Sequence, residues 1–516
     1  MNATQEKLSP QAKALAIVGV SAALGWLFDA LLNGKALGIG LPLFVSCILT
    51  GLTVLSLRIR KTVDTQAAWL FIPLVAFGIM VAVRASFFLT FLNLIACVVL
   101  LLLIAATVFR QQLMQFRIGE YVQTAFLPFR WVVPFLQTVA ELATVRSSDR
   151  HRESLQRVVR GAVLTIPVLI VFALLLSSAD LVFGRYLSNL ITIQPETLAR
   201  IVQSTIVAML FIGAYAYIFR PSQQKTEMAP EHLRLLSLGS IESSMLLGSL
   251  VALFAVFILV QFAYLFGGEQ TILAQGFTYA DYARRGFFEL VGVAALALAL
   301  LVTVEAFVAK LDASHTRTFK LLSTTLVVEV LLIMGSAAKR LALYEGAYGF
   351  SVARLYSHVF IFFLAAIFVL LLYKIHQDAR EEVFAFRSFA AALLFLGIMN
   401  GINPDAFIAR QNISRYATTQ QLDVSYLAQL SDDALPETIK VLDLQDEQLR
   451  GIFASTLYWN NASRFETNHE PWQSLNLSRS RANELLQSNK LELEQYQDFV
   501  SPETIIPEVL VHPFSS

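Results

Sequence analysis

The stretch SFFLTFLNLIACVVLLLLIAATVF, residues 86–109, decides the fold of this chain. It holds no charged side chain, and it is longer than the roughly 20 residues that an α-helix needs to cross the hydrocarbon core of a bilayer. Runs of the same kind recur on both sides of it, as far as about residue 404. The sequence therefore predicts an all-α, polytopic helical membrane bundle.

Composition agrees with this interpretation, because 56% of the 516 residues are hydrophobic and only 15% are charged. The mean hydropathy of +0.61 is more apolar than one soluble core could hide. We count eleven candidate transmembrane helices, with boundaries accurate to a few residues. They cover residues 14–32, 37–57, 66–83, 86–109, 161–180, 200–219, 243–266, 287–308, 319–338, 355–373 and 388–404.

Lysine and arginine are distributed unevenly between the loops on the two sides of these spans. With the N-terminus in the cytoplasm, 22 basic residues lie on the cytoplasmic side and nine on the external side. Loops rich in Lys and Arg stay in the cytoplasm. We therefore expect a cytoplasmic N-terminus for the transmembrane domain, residues 1–404, and an external C-terminal region.

Two regions depart from simple spans. Residues 118–142 are apolar but contain Arg130 and two prolines, and arginines flank them on both sides. This pattern favours an interfacial or re-entrant element over a twelfth span. Residues 405–516 carry 16 acidic and 8 basic side chains, which predicts a small, soluble, mainly α-helical domain outside the membrane.

The short motifs that mark common cofactor sites are missing from the sequence. The seven histidines are scattered singly, without HExxH or a Cys/His spacing for zinc, and GxGxxG and Walker sequences are absent. The arginine-rich stretch 146–160 is more typical of contact with anionic lipid headgroups than with nucleic acid. We therefore expect membrane lipids as partners, and no metal, cofactor or nucleic acid.

A polar and aromatic strip, TYADYARRGFFE, opens the eighth predicted span on its external side. Thr278 and Asp281 have the spacing of a helix capping box. Arg285 and Glu289 stand four residues apart and are expected to pair on one helix face. Arg284 has no evident local partner in the sequence, so it is a candidate for binding a phosphate or carboxylate through two parallel hydrogen bonds.

Other external residues extend this predicted ligand site. If the ninth predicted span continues as a helix beyond the membrane, Arg340 and Tyr344 share one face of it, while Ser351 caps the next helix near Arg354. With Arg84, these arginines either form one site for an anion or pair separately with nearby acids. The acids available for such pairs are Asp29, Asp180, Asp281, Glu345 and Asp405.

Glu329 is the deepest acidic residue, about midway along TTLVVEVLLIMGSAA. A carboxylate at the centre of a bilayer is costly and indicates a functional site by default. Two interpretations remain open for this residue. It couples transport to a proton or an ion, or it is a protonated glutamate with a structural role.

Several long motifs follow one another along most of the chain. They are FDALLNGKALGIGLPLF (28–44), VRASFFLTFLN (83–93), LLSSADLVF (175–183), the block from QFAYLFGG to TYADYARRGFFEL (261–290), KRLALYEGAYGFSVARL (339–355), NPDAFIARQNISR (403–415) and LDVSYLAQLSDDALP (422–436). In this order they resemble the uncharacterised domain-of-unknown-function 4173 family of bacterial multi-pass membrane proteins and its 4153-type relatives. That resemblance implies an architecture and a bacterial plasma membrane, but no activity and no catalytic residue.

Three function classes fit these observations. The first is transport or lipid handling of an anionic solute or lipid through an outward-facing basic site. The second is a membrane enzyme acting on a lipid-linked substrate at the external face, although the short first outer loop weakens that comparison. The third is a non-catalytic envelope scaffold or signalling partner that docks another protein on the acidic C-terminal domain.

Overall fold

A computed structural model describes residues 9–59, 65–109, 113–143, 195–220, 239–266, 287–307, 313–465 and 470–500. Every regular element within these ranges is helical. The prediction of an all-α polytopic helical protein is therefore confirmed.

The chain divides into two compact units. Unit one comprises residues 1–223 and 467–481, and unit two comprises residues 224–466 and 482–516. A short segment from late in the chain therefore belongs with the N-terminal helices. The predicted domains, 1–404 and 405–516, follow a different criterion, namely contact with membrane or with water, and they stay a prediction.

Unit one is built around the helix that starts the described chain. The helices are α1 (Pro10–Leu31), α2 (Gly40–Ile59), α3 (Thr65–Ala68), α4 (Phe71–Val83), α5 (Phe87–Thr107), α6 (Ile118–Ala125), α7 (Leu127–Arg130), α8 (Val132–Ala143) and α9 (Pro195–Phe219). α1 lies antiparallel to α9, and the two come close because Gly25 has no side chain: a Cβ there would lie 2.5 Å from Ser204 O and 2.8 Å from Ala208 Cβ. Small residues allow such close backbone contact between membrane helices.

Unit two contains a group of long helices followed by a group of short ones. The helices are α10 (Ser240–Phe266), α11 (Phe287–Phe307), α12 (Ala313–Tyr348), α13 (Val352–Gln377), α14 (Glu381–Ile402), α15 (Pro404–Thr419), α16 (Val424–Ala428), α17 (Leu435–Thr438), α18 (Glu447–Asn460), α19 (Ala462–Phe465), α20 (Leu477–Ser488) and α21 (Lys490–Gln495). α20 begins in unit one and enters unit two at Ala482. α12 packs against α10, α11 and α13, and the short helices after residue 404 enclose an apolar core of their own that includes Val424, Leu427 and Phe453.

Among the described residues, eight helices are long and apolar enough to cross a membrane: α1, α2, α5, α9, α10, α12, α13 and α14. Two more cover predicted spans, namely the 13-residue α4 and the 21-residue α11. The span predicted at 161–180 lies outside the described residues. Leu259, Leu296 and Leu321 are each more than half exposed on their helices, as expected for side chains that face lipid.

α12 differs most from its predicted length. The sequence predicted a span at 319–338, whereas the helix has 36 residues. It ends at Tyr348 and is followed by Gly349, whose φ of +80° lies in the left-handed region that glycine tolerates. Ser351 then caps α13 by accepting from the Arg354 N–H, which confirms that predicted cap.

Residues 118–142 form three short helices in place of one long one. The breaks fall at Phe126 and Trp131, and Pro128 and Pro134 each lie two or three residues beyond a break. Proline lacks the amide donor that a continuous helix needs. The interfacial or re-entrant placement of this segment stays a prediction.

Candidate functional site

Polar and ionisable side chains of unit two lie at three levels along α12. One level is the turn between α12 and α13, which we call the hairpin end. Glu329 marks the middle, and the start of α12 marks the opposite end. Of the residues predicted from the TYADYARRGFFE strip, Glu289 lies exposed in the first turn of α11. The others lie outside the described residues, namely Thr278, Asp281, Arg284 and Arg285.

At the hairpin end, the structure brings Tyr344 and Arg354 together. The Arg354 guanidinium lies 4.2 Å from the centre of the Tyr344 ring and also donates to the Gly349 carbonyl. The Tyr344 ring in turn lies 4.8 Å from that of Tyr348. Arg354 thus binds an aromatic face and a carbonyl at the C-terminal end of α12, where a cation is favoured by the helix dipole.

The turn itself is held by α15. Asn412 accepts from the Phe350 N–H at 2.7 Å and donates to the Phe350 carbonyl at 2.8 Å. Arg415 donates to the Gly346 carbonyl at 3.2 Å. A Cβ on Gly349 would lie 2.7 Å from Asn412 Oδ1. Glycine is therefore required at this position both for its conformation and for space.

Arg340 lies one turn before Tyr344 on α12, and its side chain is buried. Arg84 belongs to unit one, where it ends α4 and its carbonyl accepts from Asn476 at 2.8 Å. Asp29 was one of the acids predicted to pair with the external arginines. It accepts two hydrogen bonds from Arg200, at 2.9 and 2.7 Å.

A second pair at the hairpin end was missed by the sequence analysis. Glu345 and His358 lie 3.1 Å apart between Oε1 and Nδ1, and both are largely buried. The other imidazole nitrogen lies 3.4 Å from the Ala338 carbonyl. Their spacing could have predicted this pair, because the two residues lie at nearly equal sequence distances from the turn at Ser351 and therefore face each other when α12 and α13 fold back.

Glu329 lies in the middle of α12 with a fractional exposure of 8%. Its Oε2 atom has no hydrogen-bond partner among the residues that the structure describes. On the same helix the hydroxyl oxygens of Ser323 and Ser336 are also buried, and neither is hydrogen-bonded within those residues. The middle of α12 therefore carries polar atoms that apolar packing leaves unsatisfied.

The opposite end holds a buried ion pair that joins α11 to α13. Lys374 donates to Glu305, and their side chains are only 4% and 12% exposed. A surface pair, Lys320 and Asp378, lies beside it at 2.7 Å. A pocket lined by Glu305, Lys320 and Asp378 has a cavity volume of about 10 Å³, which is room for about one water molecule and not for an organic substrate.

His315 also lines this pocket, and it is buried with its Nε2 atom 3.2 Å from the hydroxyl of Ser243 on α10. Within the described residues, no group of three or more His, Cys, Asp or Glu side chains is placed to hold a metal ion. Cys47 and Cys97 are free thiols. The chemistry that this arrangement offers is exchange of protons and contact with small ions, at separate levels of one helix.

Residues 71–441 match the family described as Domain of unknown function (DUF4153). The chain belongs to this family. Of the resemblance noted in the sequence, the 4153-type part is confirmed, while the 4173 label is not the family that matches. No curated protein and no solved structure gives a significant match to the chain.

The DUF4153 match extends from α4 to α17. It therefore includes every described residue of the candidate site in unit two. The chain is an integral membrane protein, and the family description assigns no activity to it.

Proposed function

We propose that this DUF4153 protein transports an anionic solute or lipid, with Glu329 as the group that couples movement to a proton or an ion. The observation that carries the proposal is the burial of Glu329 in the middle of α12 with an unsatisfied carboxyl oxygen. Along the helix axis, Glu329 is about 21 Å from His315 and about 26 Å from Gly346. A carboxyl group that far from either end is a functional site by default.

One face of α12 connects this group to the hairpin end. Ser336 and Arg340 follow Glu329 by seven and eleven residues, so at 3.6 residues per turn all three side chains fall within about 20° of one line. The line extends over about 16 Å. Both Ser336 and Arg340 carry polar atoms away from solvent, as a path for a small polar or charged species requires.

Titratable pairs stand beyond each end of that face. Glu345 and His358 lie at the hairpin end, and Glu305 and Lys374 at the opposite end. Carboxylate and imidazole groups exchange protons readily near neutral pH. Acids and histidines placed in series through a helical bundle are the usual form of a proton relay in transporters.

The proposed orientation places the protein in a bacterial plasma membrane with a cytoplasmic N-terminus and an extracytoplasmic C-terminal domain. The excess of Lys and Arg in the predicted cytoplasmic loops supports it. So does the contact of Gln473 with the carbonyl of Ala30, because Ala30 lies at the end of α1 remote from the N-terminus. Hairpin-end arginines then face the exterior, where an anionic lipid or solute would bind.

Proton movement tests the proposal most directly. The protein is reconstituted in vesicles that contain a pH-sensitive dye, and a potassium gradient with valinomycin drives protons inward. We expect wild-type flux well above that of protein-free vesicles and a fall to that background in Glu329→Gln. The conservative Glu329→Asp should retain measurable flux, and Glu289→Gln, an exposed acid on α11, serves as the matched control.

The anionic substrate needs a separate measurement. Fluorescent phosphatidylglycerol and phosphatidylcholine are compared for movement between leaflets, and inorganic phosphate is the soluble probe. Arg340→Gln should slow movement of the anionic probes while leaving expression intact. Wild-type vesicles that move neither protons nor these probes would overturn the proposal and favour an enzyme or an envelope scaffold.

A further inference from the structure

The segment 470–481 lies against the ends of the unit-one helices, although it comes from late in the chain. The Ile39 N–H donates to the Leu475 carbonyl at 2.9 Å. Gly38 has no room for a side chain, since a Cβ there would lie 2.5 Å from the carbonyl oxygens of Ser474 and Leu475. The backbone of the segment is therefore held at the depth at which α1 ends and α2 begins.

Polar side chains of the segment point into unit one. Gln473 donates to the carbonyl of Ala30 at 3.1 Å, and Asn476 donates to the carbonyls of Val81 and Arg84 at 3.0 and 2.8 Å. The last carbonyls of a helix have no partner within it. Asn476, only 2% exposed, thus satisfies the end of α4.

Apolar side chains of the same segment point away from the protein. Trp472, Leu475 and Leu477 are 60%, 55% and 62% exposed, whereas Ser474, between them, is 1% exposed. A segment that faces water has the reverse arrangement, with its polar groups outside and its apolar groups against the core. Three large apolar side chains within six residues therefore indicate a surrounding medium that is not water.

We infer that this segment is an interfacial anchor whose partner is the phospholipid leaflet at this end of unit one. The helices to which it is bound end at the membrane surface, so its outer side chains lie at the level of the headgroups and first methylenes. Trp26 on α1 and Phe87 at the start of α5 are 69% and 85% exposed, so the apolar surface continues onto the spanning helices. Tryptophan is also favoured at this depth.

Lipid contact can be measured through the fluorescence of Trp472. In a variant with Trp472 as the only tryptophan, the other four replaced by Phe, the protein is reconstituted in phosphatidylcholine with bromine on the acyl chain near the headgroup. We expect loss of about half of the emission relative to unbrominated lipid, at an insertion depth of roughly 5–10 Å. Aqueous iodide should have little effect. If the single-tryptophan variant misfolds, the emission of Trp472 is obtained instead as the difference between the spectra of wild-type protein and of Trp472→Phe.

Two results would overturn the inference. Quenching by iodide as strong as for free N-acetyltryptophanamide, without an effect of brominated lipid, would place Trp472 in water. Protection from both quenchers would mean that a protein surface covers it. A variant with Trp26 as the only tryptophan is the positive control, since that exposed side chain lies within a spanning helix.

Discussion

The buried ion pair of Glu305 and Lys374 offers a quantitative test of how unit two is packed. Lys374→Met removes the cation but keeps most of the side-chain volume, so the Glu305 carboxylate is left in a site where it is only 12% exposed. Removing one partner of a buried pair costs about 3–5 kcal/mol in the free energy of unfolding. For a protein of 516 residues we expect the apparent Tm to fall by about 3–5 °C.

Two further variants show whether the loss of stability arises from burial of the unpaired charge or simply from loss of an ion pair. Glu305→Leu combined with Lys374→Met should recover most of the loss, because a buried pair replaced by apolar groups is often neutral. Lys320→Met breaks the neighbouring surface pair, in which Asp378 is 56% exposed, and should change the free energy by about 0–1 kcal/mol. The Tm of each of these variants, and of Glu305→Leu alone, is measured in one detergent at pH 7, with size-exclusion chromatography as the readout of folded protein.

Either of two outcomes would refute this reasoning. The first is a Tm of Lys374→Met within about 1 °C of wild type, because removal of a buried charge requires a larger fall. The second is a double variant that loses as much stability as the two single variants together. In both cases Glu305 and Lys374 would not be coupled across α11 and α13.

Two further predictions concern the region after residue 404. Asn412→Ala leaves the N–H and carbonyl of Phe350 without their partner, so stability should fall by roughly 2–4 kcal/mol; an unchanged melting temperature would contradict the contact. Burial raises the pKa of Glu437, but hydrogen bonds from Lys440 and Arg410 outweigh it, and the net pKa lies below its ordinary value of 4.5. This pairing therefore stabilises the protein above pH 4.5 and its contribution is lost as the pH falls further. Melting curves between pH 7 and 3 should show a smaller acid-dependent fall in Glu437→Gln than in wild type.

Much of the helical architecture could be predicted because it depends on local properties. Charge-free runs such as 86–109 indicate spanning helices, since a helix satisfies its own backbone hydrogen bonds in lipid. The cap at Ser351 depends on a spacing of three residues and was also predictable. The continuation of α12 beyond its predicted span was stated only as a condition, because the polar residues that follow the apolar run do not by themselves show that the helix extends to Tyr348.

The candidate site was predicted less completely. Glu329 was found because an acid within an apolar run is visible in the sequence alone. Arg354 was found too, but its contacts with Tyr344 and the Gly349 carbonyl arise only when α12 and α13 fold back on each other. The same folding pairs Glu345 with His358.

By itself, the sequence determined that this chain is a membrane protein of many helices, because long runs without charged residues are compatible with lipid and not with water. Tertiary structure decided which ionisable groups meet and which way the late segment 470–481 faces. Glu305 pairs with Lys374 across a separation of 69 residues. Asn476 donates to carbonyls at the end of α4 across a separation of about 390 residues. Contacts over such distances depend on how helices pack, since no local spacing relates the residues that form them.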